Sequence, residues 1–449
     1  WATGATWADV DNDGWLDLYV CGFDCPNRLY LNQPQGSERI LVESANALGV
    51  DFHGASIVGT FADYDRDGDL DLFVVTNRLP APDSLLNEPF SLSRGPNGEP
   101  ILPEAFRQYA DVIILPAGKG LKKIDAGQYD HLYRNEGPGK PFKEVTREVG
   151  MSGNHYGLSA TWWDWNQDGW PDLYIANDFY GPDRLRTNNG PSADDVVTFT
   201  DMTKKSLPHT PWFSMGSDIA DVNNDGWLDL VVGNESRNGE YPSEFYLSQG
   251  GNVFNDYSAA SGFNVNAYVK GLSATDYDND GDVDVFVSNF GGNNQLIKNL
   301  LTETGELKFT GATQAAGVTN PKDSFSCMFF DYNNDGHEDL FVGGYGSSSV
   351  SEACRAYLGL TPKTGTSVLY RNLGNGTFQD VTDGMGLNNI LNVMGLNHGD
   401  LNADGYEDIY IGTGSPSFSN LIPNRLFINV GGTNFVEKTY ESRTGSLQK

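Results

Sequence analysis

An acidic nine-residue motif, D-x-[DN]-x-D-G-x-x-D, recurs seven times in this chain of 449 residues. The copies begin at Asp9, Asp63, Asp164, Asp221, Asp276, Asp331 and Asp400. Hard cations such as Ca²⁺ bind roughly six to eight oxygen ligands, and the side chains at positions 1, 3 and 5 of a tight loop point inward together. The glycine at position 6 permits the sharp turn, while the position-7 carbonyl and the position-9 aspartate complete the shell. The motif therefore predicts up to seven structural Ca²⁺ sites.

The predicted metal ligands are positions 1, 3, 5, 7 and 9 of every copy. They are Asp9, Asp11, Asp13, Trp15, Asp17, Asp63, Asp65, Asp67, Asp69, Asp71, Asp164, Asn166, Asp168, Trp170, Asp172, Asp221, Asn223, Asp225, Trp227, Asp229, Asp276, Asp278, Asp280, Asp282, Asp284, Asp331, Asn333, Asp335, His337, Asp339, Asp400, Asn402, Asp404, Tyr406 and Asp408. An EF-hand is excluded, because its position 12 is a bidentate Glu and here position 12 is always Val or Ile. A single copy could equally be a hairpin turn rich in Asp, Asn and Gly, but seven copies with a fixed distant aspartate favour calcium.

The segments around the motif also recur. A small and aromatic stretch such as ATWA or SATWW precedes it, and an apolar stretch such as LDLYV or EDIYIG follows. A short segment ending mostly in Asn, such as RLYLN or VLYRN, comes next, and a fourth such as FQDVT closes the unit. Four short strands per unit, repeated around an axis, describe a β-propeller. We therefore predict an all-β, seven-bladed β-propeller with a Ca²⁺-binding loop between strands A and B of each blade.

One propeller is expected to occupy residues 1–449. Its predicted blades are roughly 1–52, 53–153, 154–209, 210–265, 266–320, 321–388 and 389–449. Two insertions, 78–129 and 345–367, fall between strands B and C. Because antiparallel strands alternate in direction, the A–B loops lie on one face, and the B–C and D–A loops lie on the other. The insertions are therefore predicted on the face opposite the Ca²⁺ loops.

Long insertions on a rigid scaffold often carry the binding surface, so a ligand face is predicted there. Its candidate residues are Lys119, Lys122, Lys123, His155, Tyr156, Asp178, Tyr180, His209 and Trp212. Aromatic rings beside amides and carboxylates suit a sugar or a peptide. Two alternatives stay open. Aromatic side chains near a propeller axis often fill the taper between blades, and the lysines can simply offset neighbouring acidic residues.

The composition excludes some partners. The chain carries 29 Lys and Arg against 60 Asp and Glu, a formal charge of −31, which disfavours nucleic acid and anionic membrane surfaces. No apolar run reaches the ~18–20 residues needed to span a bilayer, so direct membrane insertion is not predicted. The first residue is Trp1, as expected of a mature chain whose targeting segment lies outside the sequence. Cys21 and Cys25 are close enough to form a disulfide or can remain two thiols.

Several phrases resemble known proteins, notably NRLYLN, DHLYRN, VLYRNLGNGTFQDVT, PHTPWFSMGSDIADVNNDG and EACRAYLGLTPKTG. With the acidic motif, they resemble the FG-GAP/VCBS-repeat propellers, which include the integrin α-subunit head. The closer resemblance is to bacterial ASPIC/UnbV-type proteins and the related cartilage acidic proteins. The resemblance implies a secreted, periplasmic or cell-surface binding module, with any enzyme activity in other domains and usually a further C-terminal domain.

Three functions are compatible with these features. The first is a calcium-binding recognition or cell-adhesion module that binds a protein or glycan through the face opposite the Ca²⁺ loops. The second is a polysaccharide lyase or hydrolase, although no G-x-S-x-G, H-E-x-x-H or Walker motif is present. The third is a structural subunit of a larger extracellular assembly. The sequence favours the first function and identifies neither catalytic residues nor an organic cofactor.

Overall fold

The apolar segment after each acidic motif forms a strand that is buried on both faces. In the third repeat, Leu173 and Ile175 pack with residues of the second repeat, while Tyr174 and Ala176 pack with residues of the fourth. Successive side chains of a strand point to opposite faces, so one strand serves two interfaces. Such a strand needs apolar residues at every position, which explains why these segments lack the polar alternation of a half-exposed strand.

The computed structural model contains these strands in chain order. It describes residues 2–36, 38–82, 85, 91–94, 100–106, 109–114, 121–151, 153–179, 181–194, 196–237, 239–346, 350–358, 360, 362–363, 365–414 and 422–445. The first two repeats contain β1 (Ala2–Ala8), β2 (Asp17–Pro26), β3 (Arg28–Gln35), β4 (Glu38–Glu43), β5 (His53–Ala62), β6 (Asp71–Thr76), β7 (Ser93–Arg94), β8 (Pro100–Ile101), β9 (Ala110–Ile114), β10 (Leu121–Asp125), β11 (His131–Arg134) and β12 (Lys143–Glu144).

The remaining repeats each contribute four strands. These are β13 (Gly157–Trp163), β14 (Asp172–Asn177), β15 (Arg184–Pro191), β16 (Val197–Asp201), β17 (Ser214–Ala220), β18 (Asp229–Asn234), β19 (Glu244–Ser248), β20 (Phe254–Asp256), β21 (Val269–Thr275), β22 (Asp284–Asn289), β23 (Gln295–Asn299), β24 (Phe309–Gly311), β25 (Ser324–Phe330), β26 (Asp339–Gly344), β27 (Val368–Asn372), β28 (Phe378–Asp380), β29 (Val393–Gly399), β30 (Asp408–Thr413), β31 (Arg425–Asn429) and β32 (Phe435–Glu437).

The sheets are arranged as an all-β propeller. Within the described residues, β13 to β32 form five separate four-stranded antiparallel sheets, and β1 to β6 with β11 and β12 form one eight-stranded sheet. The first strand of each repeat packs against the first strand of the next, and β29 packs against β1, which closes the ring. The prediction of an all-β propeller is confirmed. The prediction of seven separate blades is wrong for the first two repeats, which share one sheet.

The shared sheet arises from strands that continue beyond the usual length. Strand β2 has ten residues, where the corresponding β14 has six. Its extension pairs with the start of β5, with Phe23 opposite Ala55 and Pro26 opposite His53. The periodicity of the sequence predicts which residues alternate in a strand, but not where pairing with a neighbouring strand stops. The repeat pattern therefore did not predict that β2 and β5 pair with each other.

Short helices occupy the connections between strands. The helical segments of the described residues are Ala45–Leu48, Glu104–Phe106, Thr203–Ser206, Ser258–Ser261, Leu301–Thr304, Thr313–Ala316 and Val350–Tyr357. The last of these lies between β26 and β27, and β7 to β10 lie between β6 and β11, so both insertions join a second strand to a third. Among the described residues, no helix is both long enough and apolar enough to cross a membrane.

Aromatic pairs fill most of the spaces between repeats. In three interfaces, position 2 of a motif packs against the first residue of the fourth strand in the next repeat, as in Trp165 with Phe254, whose ring centroids are 5.7 Å apart. Tyr64 packs against Phe199, within β16, at 5.9 Å. The ring-closing interface has Leu401 and Leu41 instead. These smaller side chains leave a cleft of about 650 Å³ at that interface, where the last repeat meets the first.

An asparagine four residues after the start of the third strand bonds neighbouring repeats to one another. In the third repeat, Asn188 Nδ2 donates to the carbonyl of Tyr64 at 2.9 Å and to the carbonyl of Pro171 at 3.1 Å. Equivalent bonds to the preceding repeat come from Asn32, Asn135, Asn299, Asn372 and Asn429. The fourth repeat has Ser248 at this position, which is too short to make the same bond.

We expect Asn188→Ser, which copies the residue of the fourth repeat, to destabilise the protein by about 1–3 kcal/mol, because two buried carbonyls lose their donor. Urea unfolding in Ca²⁺ buffer measures the change. The control is Asn189→Ser, since among the described residues the exposed Asn189 side chain bonds only within its own repeat, to Thr198 and Thr200, and its loss should cost under about 0.5 kcal/mol. Equal effects of the two substitutions would contradict the role of the inter-repeat bonds.

Candidate functional site

All seven acidic loops share one backbone conformation. The residue at position 4 has a φ of 55° to 61°, and the glycine at position 6 has a φ of 82° to 96°. Glycine adopts such angles at no steric cost, which explains its invariance in the seven copies. Position 4 is also left-handed, a feature the motif did not reveal because Asn, Arg, Gln and Ala all occur there.

The first aspartate of each loop organises the turn. In the first copy, Asp9 Oδ1 accepts from the N–H of Asp13 at 3.0 Å, and Asp9 Oδ2 accepts from the N–H of Gly14 at 2.8 Å. The position-5 carboxylate then accepts from the N–H at position 7, as Asp13 does from Trp15. The same three bonds are present in all seven loops. These aspartates are therefore held in place before any ion binds.

The position-9 aspartate is buried and connects the loop to the rest of its blade. Asp172 is fully buried, its Oδ1 accepts from the N–H of Asn188 at 2.7 Å, and its Oδ2 accepts from the N–H of Trp165. The Oδ1 bond recurs in every repeat. Asp284 and Asp339 differ, because their Oδ2 atoms are buried with no hydrogen-bond partner among the described residues.

Burial raises the pKa of these carboxyls, and the neighbouring aspartates raise it further. The pKa is about 7 for Asp17, Asp229 and Asp408, and about 8 for Asp71, Asp172, Asp284 and Asp339. A buried carboxylate without a nearby cation is disfavoured relative to its protonated form. The loops are therefore electrostatically incomplete unless a proton or a cation is present.

Carboxylate oxygens converge in three loops. The clusters are Asp9, Asp11 and Asp13 in the first, Asp63, Asp65 and Asp71 in the second, and Asp276, Asp278 and Asp284 in the fifth, each with oxygens within 4.8 Å of one another. In each cluster the position-3 aspartate has a buried Oδ1 with no hydrogen-bond partner among the described residues. Unpartnered oxygens in a fixed loop are the donors that hard cations prefer. These acidic clusters could hold metal ions.

Asparagine at position 3 changes the other loops. In the third, fourth and seventh copies its amide donates to the position-5 carboxylate, as Asn166 Nδ2 does to Asp168 Oδ2 at 2.9 Å. The amide therefore lies where converging carboxylates would otherwise repel one another. The residue at position 3 therefore divides six of the loops into two electrostatic classes. The sixth loop differs, because Asn333 Nδ2 is buried with no hydrogen-bond partner among the described residues.

Basic side chains lie beside the first and fifth loops, which both have aspartate at position 3. Lys298 Nζ is 2.5 Å from Asp278 Oδ2, 2.9 Å from Asp280 Oδ2 and 2.8 Å from Glu303 Oε1. Arg39 Nη2 is 2.5 Å from Asp13 Oδ2 in the first loop. These cations partly compensate the repulsion among the carboxylates. The motif alone gave no indication of them, because both residues come from later strands of the blade.

Neighbouring loops are also bonded to one another. The position-4 amides of Asn12, Gln167, Asn224 and Asn334 donate to the glycine carbonyl of the next loop. Arg66 instead lies over the Trp170 ring of the third loop at 5.1 Å. These contacts place the loops together on one face. Ala403 has no donor to offer the first loop, so the ring-closing interface lacks this type of bond.

The residues of the predicted ligand face separate into different environments. Lys119 and Tyr180 lie outside the described residues, and Lys122 and Lys123 are on β10, paired with Ile113 and Val112. Tyr156, Asp178 and Trp212 lie on connections at the face opposite the acidic loops, where Tyr156 and Asp178 are buried and Trp212 is 44% exposed.

The two histidines of that prediction lie beside charged side chains. His155 Nε2 is 3.2 Å from Arg184 Nε, and burial together with Arg184 and Arg186 lowers the pKa of His155 to about 4. It is therefore neutral and serves the packing between repeats. His209 Nε2 is 3.2 Å from Asp256 Oδ2, on the fourth strand of its neighbouring sheet. The structure does not bring the histidines together.

An aromatic platform, defined as Phe179, Trp212, Phe213 and Tyr241, occupies the face opposite the loops. The ring centroids of Phe179 and Phe213 are 6.3 Å apart, those of Phe213 and Tyr241 are 5.7 Å apart, and those of Tyr241 and Trp212 are 6.0 Å apart. Phe179, Phe213 and Tyr241 have φ of 56° to 60°, a region that costs bulky residues roughly 1–2 kcal/mol each. Sequence reasoning identified only Trp212, since the others come from three different connections.

Charged groups lie next to the platform. Glu235 accepts from Lys270 Nζ at 2.6 Å and from Arg237 Nη2 at 2.9 Å, and Arg237 lies over the Phe213 ring at 4.3 Å. Burial opposes ionisation of Glu235, but Lys270 and Arg237 lower its pKa overall. Burial raises the pKa of Asp178 to about 6. The platform thus borders two cations held by a buried carboxylate.

Comparison with known proteins places these features in a family. The FG-GAP-like repeat profile matches residues 9–74, 164–232, 221–287 and 276–342, more than half of the chain. The chain belongs to the FG-GAP-like repeat family. Each match begins at the first aspartate of a loop and ends in the second strand of the next repeat. The acidic loop and its buried strand therefore define the repeat.

Relatives and solved structures extend the comparison. Human cartilage acidic protein 1 is 24% identical over 376 residues, covering 76% of this chain and 55% of the relative. The mouse protein of the same name is also 24% identical, over 76% and 57%. The chain thus spans about half the length of the curated relatives it matches. A crystal structure of BBS1N in complex with ARL6DN, soaked with lead, aligns with a TM-score of 0.46 at 10% identity, covering 92% of this chain and 90% of that one.

The raised pKa of the position-9 aspartates predicts how the metal-free protein responds to pH. Their folded pKa of about 7–8 exceeds the unfolded value of about 3.9. Their protonation therefore favours folding most below about pH 4, and this stabilisation is lost as the pH rises through 7–8. In EDTA, the urea midpoint should be lower at pH 8 than at pH 5.

The matched variant for this measurement is Asp172→Asn, which keeps the Oδ1 acceptor for Asn188 and removes one titrating group. It should reduce the loss of stability between pH 5 and pH 8. Asp194→Asn, in an exposed connection, should leave the pH profile unchanged. A midpoint in EDTA that rises from pH 5 to pH 8 would show that the buried carboxyls do not dominate.

Proposed function

We propose that this protein is a calcium-stabilised recognition module that binds a protein or glycan through the face opposite its acidic loops. The observation that carries the proposal is the aromatic platform, where Trp212 and Tyr241 are 44% and 39% exposed beside a buried group of charges. Exposed aromatic and arginine side chains are enriched at recognition surfaces. The acidic loops lie at the other end of the strands, so they support this face without forming it.

We infer that the eight-stranded sheet contains two blades, which gives seven blades around the axis. Its two halves each carry one acidic loop, and β1 and β5 both take part in the ring of first strands. Each loop offers carboxylates at positions 1, 5 and 9, with Asp or Asn at position 3. This all-oxygen donor set suits Ca²⁺, and up to seven structural ions are proposed.

An extracellular or cell-surface location is proposed for the module. The matched relatives are named cartilage acidic protein, and this chain is likewise strongly acidic, with a formal charge of −31. Millimolar Ca²⁺ outside cells would keep even weak loops occupied. The alternatives of a polysaccharide lyase and of an assembly subunit draw no support from the described residues.

Chelation should lower the melting temperature in this scheme. Removing Ca²⁺ with EDTA leaves buried carboxylates without a cation, so we expect a fall of at least about 5–10 °C, restored by Ca²⁺. Differential scanning calorimetry measures the change, with Mg²⁺ as the control ion because it demands a smaller, more rigid octahedral site. An unchanged melting temperature after rigorous chelation would contradict structural calcium.

Lys298 supplies an internal comparison for the same measurement. Lys298→Met removes the cation of the fifth loop, so it should destabilise the protein more in EDTA than in Ca²⁺, where the ion compensates the same carboxylates. The control is Lys438→Met, because in the described residues the Lys438 ammonium forms an ion pair only with the exposed Glu441. A Lys298→Met effect that is the same in both buffers would show that no ion binds beside Lys298.

The recognition function is tested with the full chain on a glycan array and on an array of secreted proteins, both in Ca²⁺ buffer. We expect specific binding on at least one array. The double variant Trp212→Ala/Tyr241→Ala should weaken that binding about 10–100-fold, whereas Tyr440→Ala, whose side chain is 62% exposed elsewhere, should not. Failure to bind either array, or full binding by the double variant, would contradict the proposal.

A further inference from the structure

The platform has the shape of a site for a small flat ligand rather than for a large surface. The rings of Trp212 and Tyr241 are inclined by only 30° with centroids 6.0 Å apart, so they present adjoining aromatic surfaces. Both rings are about two-fifths exposed, and Phe213 beneath them is partly buried. A stable protein interface requires roughly 800 Å² from each partner, far more than two partly exposed rings provide. One or two sugar rings match the available area.

The Arg237 guanidinium is a hydrogen-bond donor beside the platform. Arg237 donates through Nη2 to Glu235, and its side chain is 41% exposed. A guanidinium carries five N–H donors, so its exposed N–H groups can donate to a ligand hydroxyl or ring oxygen. Lys270 and Glu235 hold Arg237 in position through the ion pairs described above. The platform therefore combines an apolar stacking surface with an adjacent, prepositioned donor.

The charge of the whole protein selects among sugars. A formal charge of −31 repels polyanions such as uronate-rich or sulfated chains at long range. Close to the platform, the cations Arg237 and Lys270 are offset by Glu235 and Asp178, so the site has little net charge when all four are ionised. A pyranose ring without charged groups satisfies both conditions, because its C–H face is apolar and its hydroxyls form hydrogen bonds.

We propose that the aromatic platform binds a neutral glycan, with a pyranose ring stacked on Trp212 and Tyr241 and a hydroxyl accepting from the exposed guanidinium of Arg237. This inference rests on the proposed recognition function and narrows its ligand to one chemical class. Phe179 and Phe213 support the stacking rings from behind, and Glu235 with Lys270 fixes the guanidinium. The ligand contacts come from two connections, with Trp212 between β16 and β17 and both Arg237 and Tyr241 between β18 and β19.

Isothermal titration calorimetry tests the proposal with four neutral probes: cellotetraose, xylotetraose, mannotetraose and chitotetraose. At least one should bind, with affinity reduced at least 10-fold in Trp212→Ala and in Arg237→Met. Trp212→Phe, which keeps an aromatic ring, should retain most of the affinity. The matched control is Tyr129→Ala, since Tyr129 is 43% exposed and near Arg147 instead. Melting temperatures of all variants in Ca²⁺ confirm that they fold.

Each result decides between the glycan inference and the broader function. No binding of any neutral probe, or equal binding by Trp212→Ala, overturns the neutral-glycan inference. Binding of tetragalacturonate alone also overturns it, because that probe is anionic. A protein ligand found on the secreted-protein array that is lost in Trp212→Ala/Tyr241→Ala, without any glycan binding, overturns the glycan inference and leaves the recognition function standing.

Discussion

The carboxylate buried at position 9 of each acidic loop connects most features of this protein. It accepts from the backbone of the third strand in every repeat, and in five loops also from position 2 of its own loop. One side chain therefore fixes the loop, the second strand and the third strand relative to one another. Because burial penalises its charge, the same group creates the need for a nearby cation.

Because the loops carry several carboxylates close together, other protein groups compensate part of their negative charge. The first, second and fifth loops carry an extra carboxylate at position 3, and a basic side chain lies near each, as Arg39, Arg134 and Lys298 do. Three of the four loops with asparagine at position 3 use its amide instead. Local neutralisation by protein groups and the proposed ions are therefore complementary, since neither arrangement alone pairs every buried oxygen.

The two faces of the propeller differ because they meet different requirements. The loop face repeats one geometry seven times, and its side chains bond to the next loop, so variation there would break several contacts together. The opposite face carries the insertions and the aromatic platform, whose residues come from connections of unrelated sequence. Strained backbone at Phe179, Phe213 and Tyr241 is stable only because the sheets beneath are rigid. A rigid scaffold with irregular connections is the arrangement expected of a binding protein.

The sequence by itself determined the all-β propeller, the position of every acidic loop and the face opposite them, because these depend on local spacing and on strand alternation. It located Trp212 and Asp178 but not Phe213, Tyr241 or Arg237, which share no motif and meet only when neighbouring repeats pack. It also missed the sheet shared by the first two repeats, since the length over which β2 pairs with β5 depends on how close their backbones lie in the folded protein. Tertiary packing alone decided which side chains touch, because contacts between repeats join residues far apart in the chain.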